Sequence, residues 1–229
     1  MEQQLTIKNA VEIEGTGLHT GAKTKVRLLP AEQNAGISFV RTDLPGSPVI
    51  KANIANVMEA SRKLRRTSLA SDGAEVHTIE HLMSALSGMM IDNVEVEING
   101  PEVPGIDGSA TPFVELIKKA GIQPQSEQRK SFTVKEPIWL EEDDTVLAIL
   151  PDSEFKISYM LSYDHPMLRS QYVSIVLTPE TYEKQIAPTR TFCLEAEAEA
   201  LRHQGLGKGA NFDNTLVVGK EGVIKNKLR

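Results

Sequence analysis

Cysteine is almost absent: Cys193 stands alone among 229 residues. No internal disulfide can form, and a zinc site built from several thiolates is excluded. A bound metal would need histidine and carboxylate ligands. Aromatic residues make up only 5% of the chain, the net charge is −6, and there is no sustained basic block. These features weigh against nucleic acid as a partner. No apolar run approaches the ~18–20 residues of a transmembrane segment. Met1-Glu2-Gln3-Gln4-Leu5 also lacks the basic start of a secretory signal. Together these absences predict a cytoplasmic protein. What is present, 40% hydrophobic and 24% charged residues, suits a globular chain with a real core, as one large domain or two modest ones.

The most informative stretch runs from Val76 to Leu86. Apolar residues at 79, 82, 83 and 86 have the spacing of an amphipathic helix, and Gly88 follows where helices commonly stop. His77, Glu80, His81 and Ser84 then share the opposite face. A carboxylate beside one or two imidazoles suits a zinc hydrolase, with imidazole holding the metal and carboxylate taking a proton from water. The same residues suit an ordinary solvated helix face equally well. His77-Thr78-Ile79-Glu80-His81 also spells the H-x-x-E-H pattern of inverted zincins, metallopeptidases in which both histidines are ligands. That reading needs a further downstream carboxylate, and the one glutamate cluster, 195–199, reads as a solvated face.

Residues 5–14 and 24–29 alternate in the manner of strands, as do 37–40 and 93–98. Gly15-Thr16-Gly17-Leu18-His19-Thr20-Gly21 predicts a tight turn presenting His19 at a surface, though spacing alone favours a plain hairpin loop. Arg62, Lys63, Arg65 and Arg66 could meet phosphates, but read as a solvated face. Thr111-Pro112 opens a second helix that Gly121 stops. Residues 123–130 are polar and aperiodic and form the best linker. Beyond it, strands are expected at 132–136, 146–150, 155–161 and 172–177, a helix at about 194–204, and short strands at 216–218 and 223–224.

An apolar strand ending at proline and followed by a second strand occurs twice, at Val26–Ser38 and Leu147–Ser158. The repeat fits two related α+β halves, a first domain 1–124, a linker 125–130 and a second domain 131–229. The second half has one helix where the first has two, so a covering C-terminal helix is expected to be missing.

Six segments occur in order: 15–21, Thr78-Ile79-Glu80-His81-Leu82, Ile91-Asp92-Asn93-Val94, Asp107-Gly108-Ser109, Arg190-Thr191-Phe192 and Gly205-Leu206-Gly207-Lys208-Gly209. With these the chain resembles, along its whole length, the zinc-dependent UDP-3-O-acyl-N-acetylglucosamine deacetylases of lipid A biosynthesis. The resemblance implies two α+β domains packed helix layer to helix layer, the second incomplete here. It also implies removal of an acetyl group from the glucosamine nitrogen of a UDP-linked, 3-O-acylated sugar. By matching motif, His81 would ligate Zn2+, Glu80 would be the general base, and Thr191 would stabilise the oxyanion. Leu18, His19, Phe192, Gly207, Gly209 and Phe212 would contact substrate, with Phe192 and 207–212 lining the acyl passage. His77 has no metal role in the family.

The family's other two zinc ligands belong to an H-K-x-x-D segment, and a later histidine is its general acid. Neither occurs in the 229 residues. The expectation is an N-terminal portion of the deacetylase that is inactive alone, without a transmembrane segment but near a membrane surface through its lipid-bearing substrate. A non-catalytic sugar-nucleotide-binding pseudoenzyme is the alternative.

Overall fold

The structure, a computed structural model, describes residues 2–59 and 65–225. Arg62 and Lys63 of the basic cluster lie outside the described residues. The chain opens with β1 (Gln3–Ile7), β2 (Val11–Thr16), β3 (Lys23–Pro30), β4 (Ile37–Arg41) and β5 (Val49–Lys51). A hairpin of β6 (Ser68–Ser71) and β7 (Ala74–His77) precedes α1 (Glu80–Gly88), followed by β8 (Val94–Ile98), α2 (Thr111–Ala120) and β9 (Ile122–Gln128). Five strands form one sheet in the order β2-β3-β8-β4-β5, with β4 parallel to β8 and the other pairs antiparallel.

Alternation sets this sheet's inner face. Thr24, Val26 and Leu28 of β3, and Val94, Val96 and Ile98 of β8, are buried, while the charged residues between them point outward. The register places Val26 opposite Ile98 and Leu28 opposite Val96. Leu82, Ala85 and Leu86 of α1 and Phe113, Val114 and Ile117 of α2 complete the core over that face. Gly121 ends α2 at φ +75°, where a residue without Cβ is unstrained.

Four sequence expectations need correction. The helix expected from residue 76 begins at Glu80, and Gly88 is its last residue rather than its stop. His77 belongs to β7, because its backbone is taken by cross-chain pairing: its N–H donates to Pro101 O and its carbonyl accepts from Val103 N–H. It is buried, not at the surface, with Nδ1 3.0 Å from Ser68 Oγ and Nε2 3.2 Å from Glu75 Oε2. His77 and His81 are therefore not one turn apart on a helix, which removes the geometry an inverted zincin needs. The stretch expected as a linker is mostly β9, paired antiparallel with β1. Its polar side chains find partners in the first half: Gln125 bonds Ala31 O and Asn93, and Arg129 clamps Asp92 through Nε and Nη2 at 2.9 and 2.7 Å. Residues 132–136 form no strand.

The remaining strands form hairpins, β10 (Ile138–Glu142) with β11 (Thr145–Ile149) and β12 (Lys156–Leu161) with β13 (Gln171–Val176). They are exposed on both faces, Trp139 by 63%. A single turn, α3 (Pro179–Thr181), runs into a π turn at Tyr182–Ile186, which the pattern does not reveal. Then come β14 (Phe192–Leu194), α4 (Glu195–His203), β15 (Leu216–Gly219) and β16 (Gly222–Ile224), with β15 between its two partners. The architecture is α+β, as expected. No helix among the described residues is long and apolar enough to cross a membrane.

One ion pair, between buried Arg41 and exposed Asp43, makes stability depend on pH. Arg41, 6% exposed, holds both Asp43 oxygens at 2.8 Å and also donates to Glu75 O. The Arg41 hydrogen bond holds the Asp43 carboxyl below the usual aspartate range. A depressed folded-state pKa gives stability that is present above the unfolded value, about 3.9, and is lost as pH falls through the folded one. Urea midpoints measured from about pH 5 down to about pH 2 are expected to fall more steeply for the wild type than for Asp43→Asn. Equal slopes would show that this pair contributes nothing.

Candidate active site

Glu80 and His81 occupy the first turn of α1, where a carboxylate is favoured by the helix dipole. Glu80 Oε2 accepts from the Thr67 N–H at 3.0 Å. Burial pushes the Glu80 carboxyl above the ordinary glutamate range, against the Thr67 amide and the nearby His81, and the charge of Glu102 adds to the rise. A carboxylate with raised proton affinity is suited to take a proton from water.

The glycine loop packs beside it, not as a free hairpin. Gly17 N–H bonds Ala22 O, and Gly21 N–H bonds Gly17 O. The backbone N–H groups of His19 and Thr20 both donate to Glu102. Gly17 must lack a side chain, because a Cβ there would stand 2.4 Å from Glu102 Oε2. His19 is only 8% exposed, so the surface position expected for it is corrected: its ring lines an internal cleft. Burial pushes the imidazole below its ordinary range, Glu102 opposes, and Arg66 adds to the fall.

The opposite wall comes from the C-terminal half. Thr191 is held by its N–H to Gly108 O at 2.8 Å and by its carbonyl, which accepts from Leu216 N–H at 3.0 Å. Arg190 braces the same corner by donating to the carbonyls of Asp107, Phe212 and Asp213. The loop after α4 lies on the glycine loop, with Lys208 N–H on His19 O and Gly209 N–H on Leu18 O. The backbones meet so closely that a Cβ on Gly209 would come within 2.2 Å of Gly17 O.

Between these walls lies a cleft of about 130 Å³. Leu18, His19, Glu80, His81, Thr191, Phe192, Gly207 and Phe212 all line it, so those site residues predicted from sequence converge. Gly209 does not line it and acts behind it, as the point of loop contact. Leu201 and Leu206 extend the apolar wall, Cys193 also lines it, and Arg65 pairs with Glu197 of α4 at 2.6 Å. Arg65 and Glu197 therefore face one another and are not two independent solvated faces. Pattern reading does not bring these residues to the cleft, nor does it reveal Glu102 bonded to the glycine loop behind it, because only packing sets both.

The resemblance implies zinc. Catalytic zinc takes about three protein ligands plus water. Among the described residues no group of three or more histidine, cysteine, aspartate or glutamate side chains could hold a metal ion. His81 and Glu80 stand side by side at the cleft, and among the described residues no third such donor joins them.

The chain is similar to known proteins over nearly its whole length. A family model described as UDP-3-O-acyl N-acetylglycosamine deacetylase matches residues 4–229. The chain is 42% identical to the UDP-3-O-acyl-N-acetylglucosamine deacetylase of Trichormus variabilis over 232 residues, which cover 99% of this chain and 82% of that protein. It is 36% identical to the enzyme of that name from Syntrophus aciditrophicus over 98% of this chain and 70% of that one. For the enzyme of that name from Saccharophagus degradans the identity is 41%, over 96% and 72%. The chain belongs to the UDP-3-O-acyl N-acetylglycosamine deacetylase family.

Proposed function

We propose that this chain carries the substrate cleft and the catalytic carboxylate of a deacetylase. Its substrate is a UDP-linked, 3-O-acylated N-acetylglucosamine on the cytoplasmic route to lipid A, near a membrane surface. The observation that supports this is convergence: Glu80, with its raised proton affinity, and Thr191 line one cleft with apolar walls. In this reading Glu80 takes the proton from the attacking water. The Thr191 hydroxyl donates to the oxygen that gains charge as the amide becomes tetrahedral. Leu18, Phe192, Leu201 and Phe212 shelter the acyl chain. Zinc is proposed as the cofactor, with His81 as one ligand and the others supplied from outside the residues described.

The 229 residues alone are expected neither to hold zinc tightly nor to release acetate. Metal analysis showing stoichiometric zinc at neutral pH, or turnover of the UDP-sugar, would overturn that expectation. Substrate binding tests the cleft itself. Calorimetry is expected to show that the acylated UDP-sugar binds the chain at least about tenfold more tightly than the same sugar without its acyl chain. Phe192→Asp is expected to erase the difference. Equal affinities in the wild type would sink the assignment of the apolar wall.

The incomplete ligand set also favours a second reading, a non-catalytic sugar-nucleotide binder. A reading frame that continues past Arg229 into H-K-x-x-D would support the enzyme, and a stop there would support the binder.

A further inference from the structure

Glu102 is fully buried and does not line the cleft. Its carboxylate nevertheless joins two elements that do. Oε1 accepts from the His19 N–H at 2.9 Å and the Thr78 hydroxyl at 2.7 Å. Oε2 accepts from the Thr20 N–H at 2.7 Å and the Thr20 hydroxyl at 2.6 Å. Four donors to one buried carboxylate satisfy it without a cation. Thr78, two residues before Glu80, has φ +56°, a left-handed conformation that is strained for a β-branched residue and persists only where surroundings impose it. The Glu102 backbone also runs in a parallel bridge with His77, while Val103 N–H bonds the His77 carbonyl. The kink that starts α1 and the loop that carries His19 are thus tied to the same side chain.

We propose that Glu102 is a positioning residue: it locks the Thr78 kink to the His19 loop and so sets where Glu80 and His81 stand relative to His19. The proposal rests on the deacetylase reading only in treating those three as functional residues. Its chemistry separates it from a buried group that merely stabilises the core. Glutamine at 102 offers one acceptor oxygen, so its NH2 must face donors on one side, and either the loop or the kink is released. Thr78→Val removes the kink's bond alone and leaves the three loop donors in place, while Thr78→Ser keeps the hydroxyl.

The test uses the full chain, with amide hydrogen exchange and imidazole 15N spectra of His19 and His81, and it needs no substrate. In Thr78→Val, exchange at the Ile79 amide, which bonds Thr67 O beside the kink, is expected to rise about tenfold or more, with shifted His81 and His19 ring signals. Thr78→Ser is expected to restore both. Glu102→Gln is expected to loosen loop and kink together, and if it fails to fold, the Thr78 pair still decides. The proposal is overturned if Thr78→Val lowers the melting temperature while leaving both imidazole signals unchanged, or if serine does not rescue. Failure of the wild type to bind the acylated UDP-sugar would count against the deacetylase reading and leave these local readouts intact.

Discussion

Replacing Gly108 with alanine is expected to destabilise the chain by about 3 kcal/mol or more and to abolish binding in the cleft. Gly108 has φ +79°, and a Cβ there would lie 1.9 Å from the carbonyl oxygen of Asn214. The obstacle is backbone, which cannot rotate away as a side chain can. It is also tied down, since Asn214 Nδ2 donates to Gly209 O at 3.0 Å and its Oδ1 accepts from Asn211 N–H at 2.8 Å. Relief therefore means moving the 209–214 loop off the glycine loop, or withdrawing the Gly108 carbonyl from the Thr191 N–H. Either opens the wall that carries Thr191 and Phe212. Gly36→Ala is the control: φ is +72° there, but nothing lies within 4 Å of the new Cβ. Only the backbone cost of about 1–2 kcal/mol applies at that site. Urea unfolding of both variants separates conformation from collision. Equal losses would show that the Gly108–Asn214 approach does not matter.

Gly88→Ala is expected to reverse the usual helix rule. Alanine normally stabilises a helix by up to about 1 kcal/mol over glycine. Here the added Cβ would stand 2.2 Å from Cγ of Tyr182, a ring that is 2% exposed and docked on α1. Its hydroxyl also meets Ser84 Oγ at 2.8 Å. Overpacking of this kind costs about 1–3 kcal/mol, more than the helix gain. Tyr182→Phe is expected to lose only about 1 kcal/mol, for one hydrogen bond. Combining Gly88→Ala with Tyr182→Ala should leave the glycine substitution neutral or stabilising relative to Tyr182→Ala alone. A double-mutant cycle from thermal unfolding reads this coupling, and additive effects would refute the packing account. The contact joins the C-terminal half to the helix that bears Glu80 and His81, so a loss here is also expected to weaken substrate binding.

Much was readable in residue order. Strands such as β3 and β8 announce themselves because one face is buried and the other is not. The second helix announces itself through its apolar stripe and its glycine stop. The cleft residues were identified by short motifs rather than by pattern, and eight of them share one cavity. The failures have a common cause. His77 falls on the polar face of a helical period in the sequence, but pairing to Ser68 and to the backbone at 101–103 makes it strand. Residues 123–130 look like linker because they are polar and aperiodic, yet most of them pair with β1, and Gln125 bonds partners far along the chain. Tyr182 gives no sign that Gly88, on another element, leaves room for its ring.

Residue order alone is enough for the α+β class, for amphipathic helices laid over a sheet, and for the chemical identity of the groups at the cleft. Periodicity and side-chain chemistry are local properties and survive translation into a string. The start of α1, the burial of His77, and the link that Glu102 makes between the His19 loop and the Thr78 kink all come from long-range packing. Those outcomes turn on which distant backbone groups satisfy one another, and on the room left where two chains cross without side chains. Neither can be read from the spacing of residues along one chain.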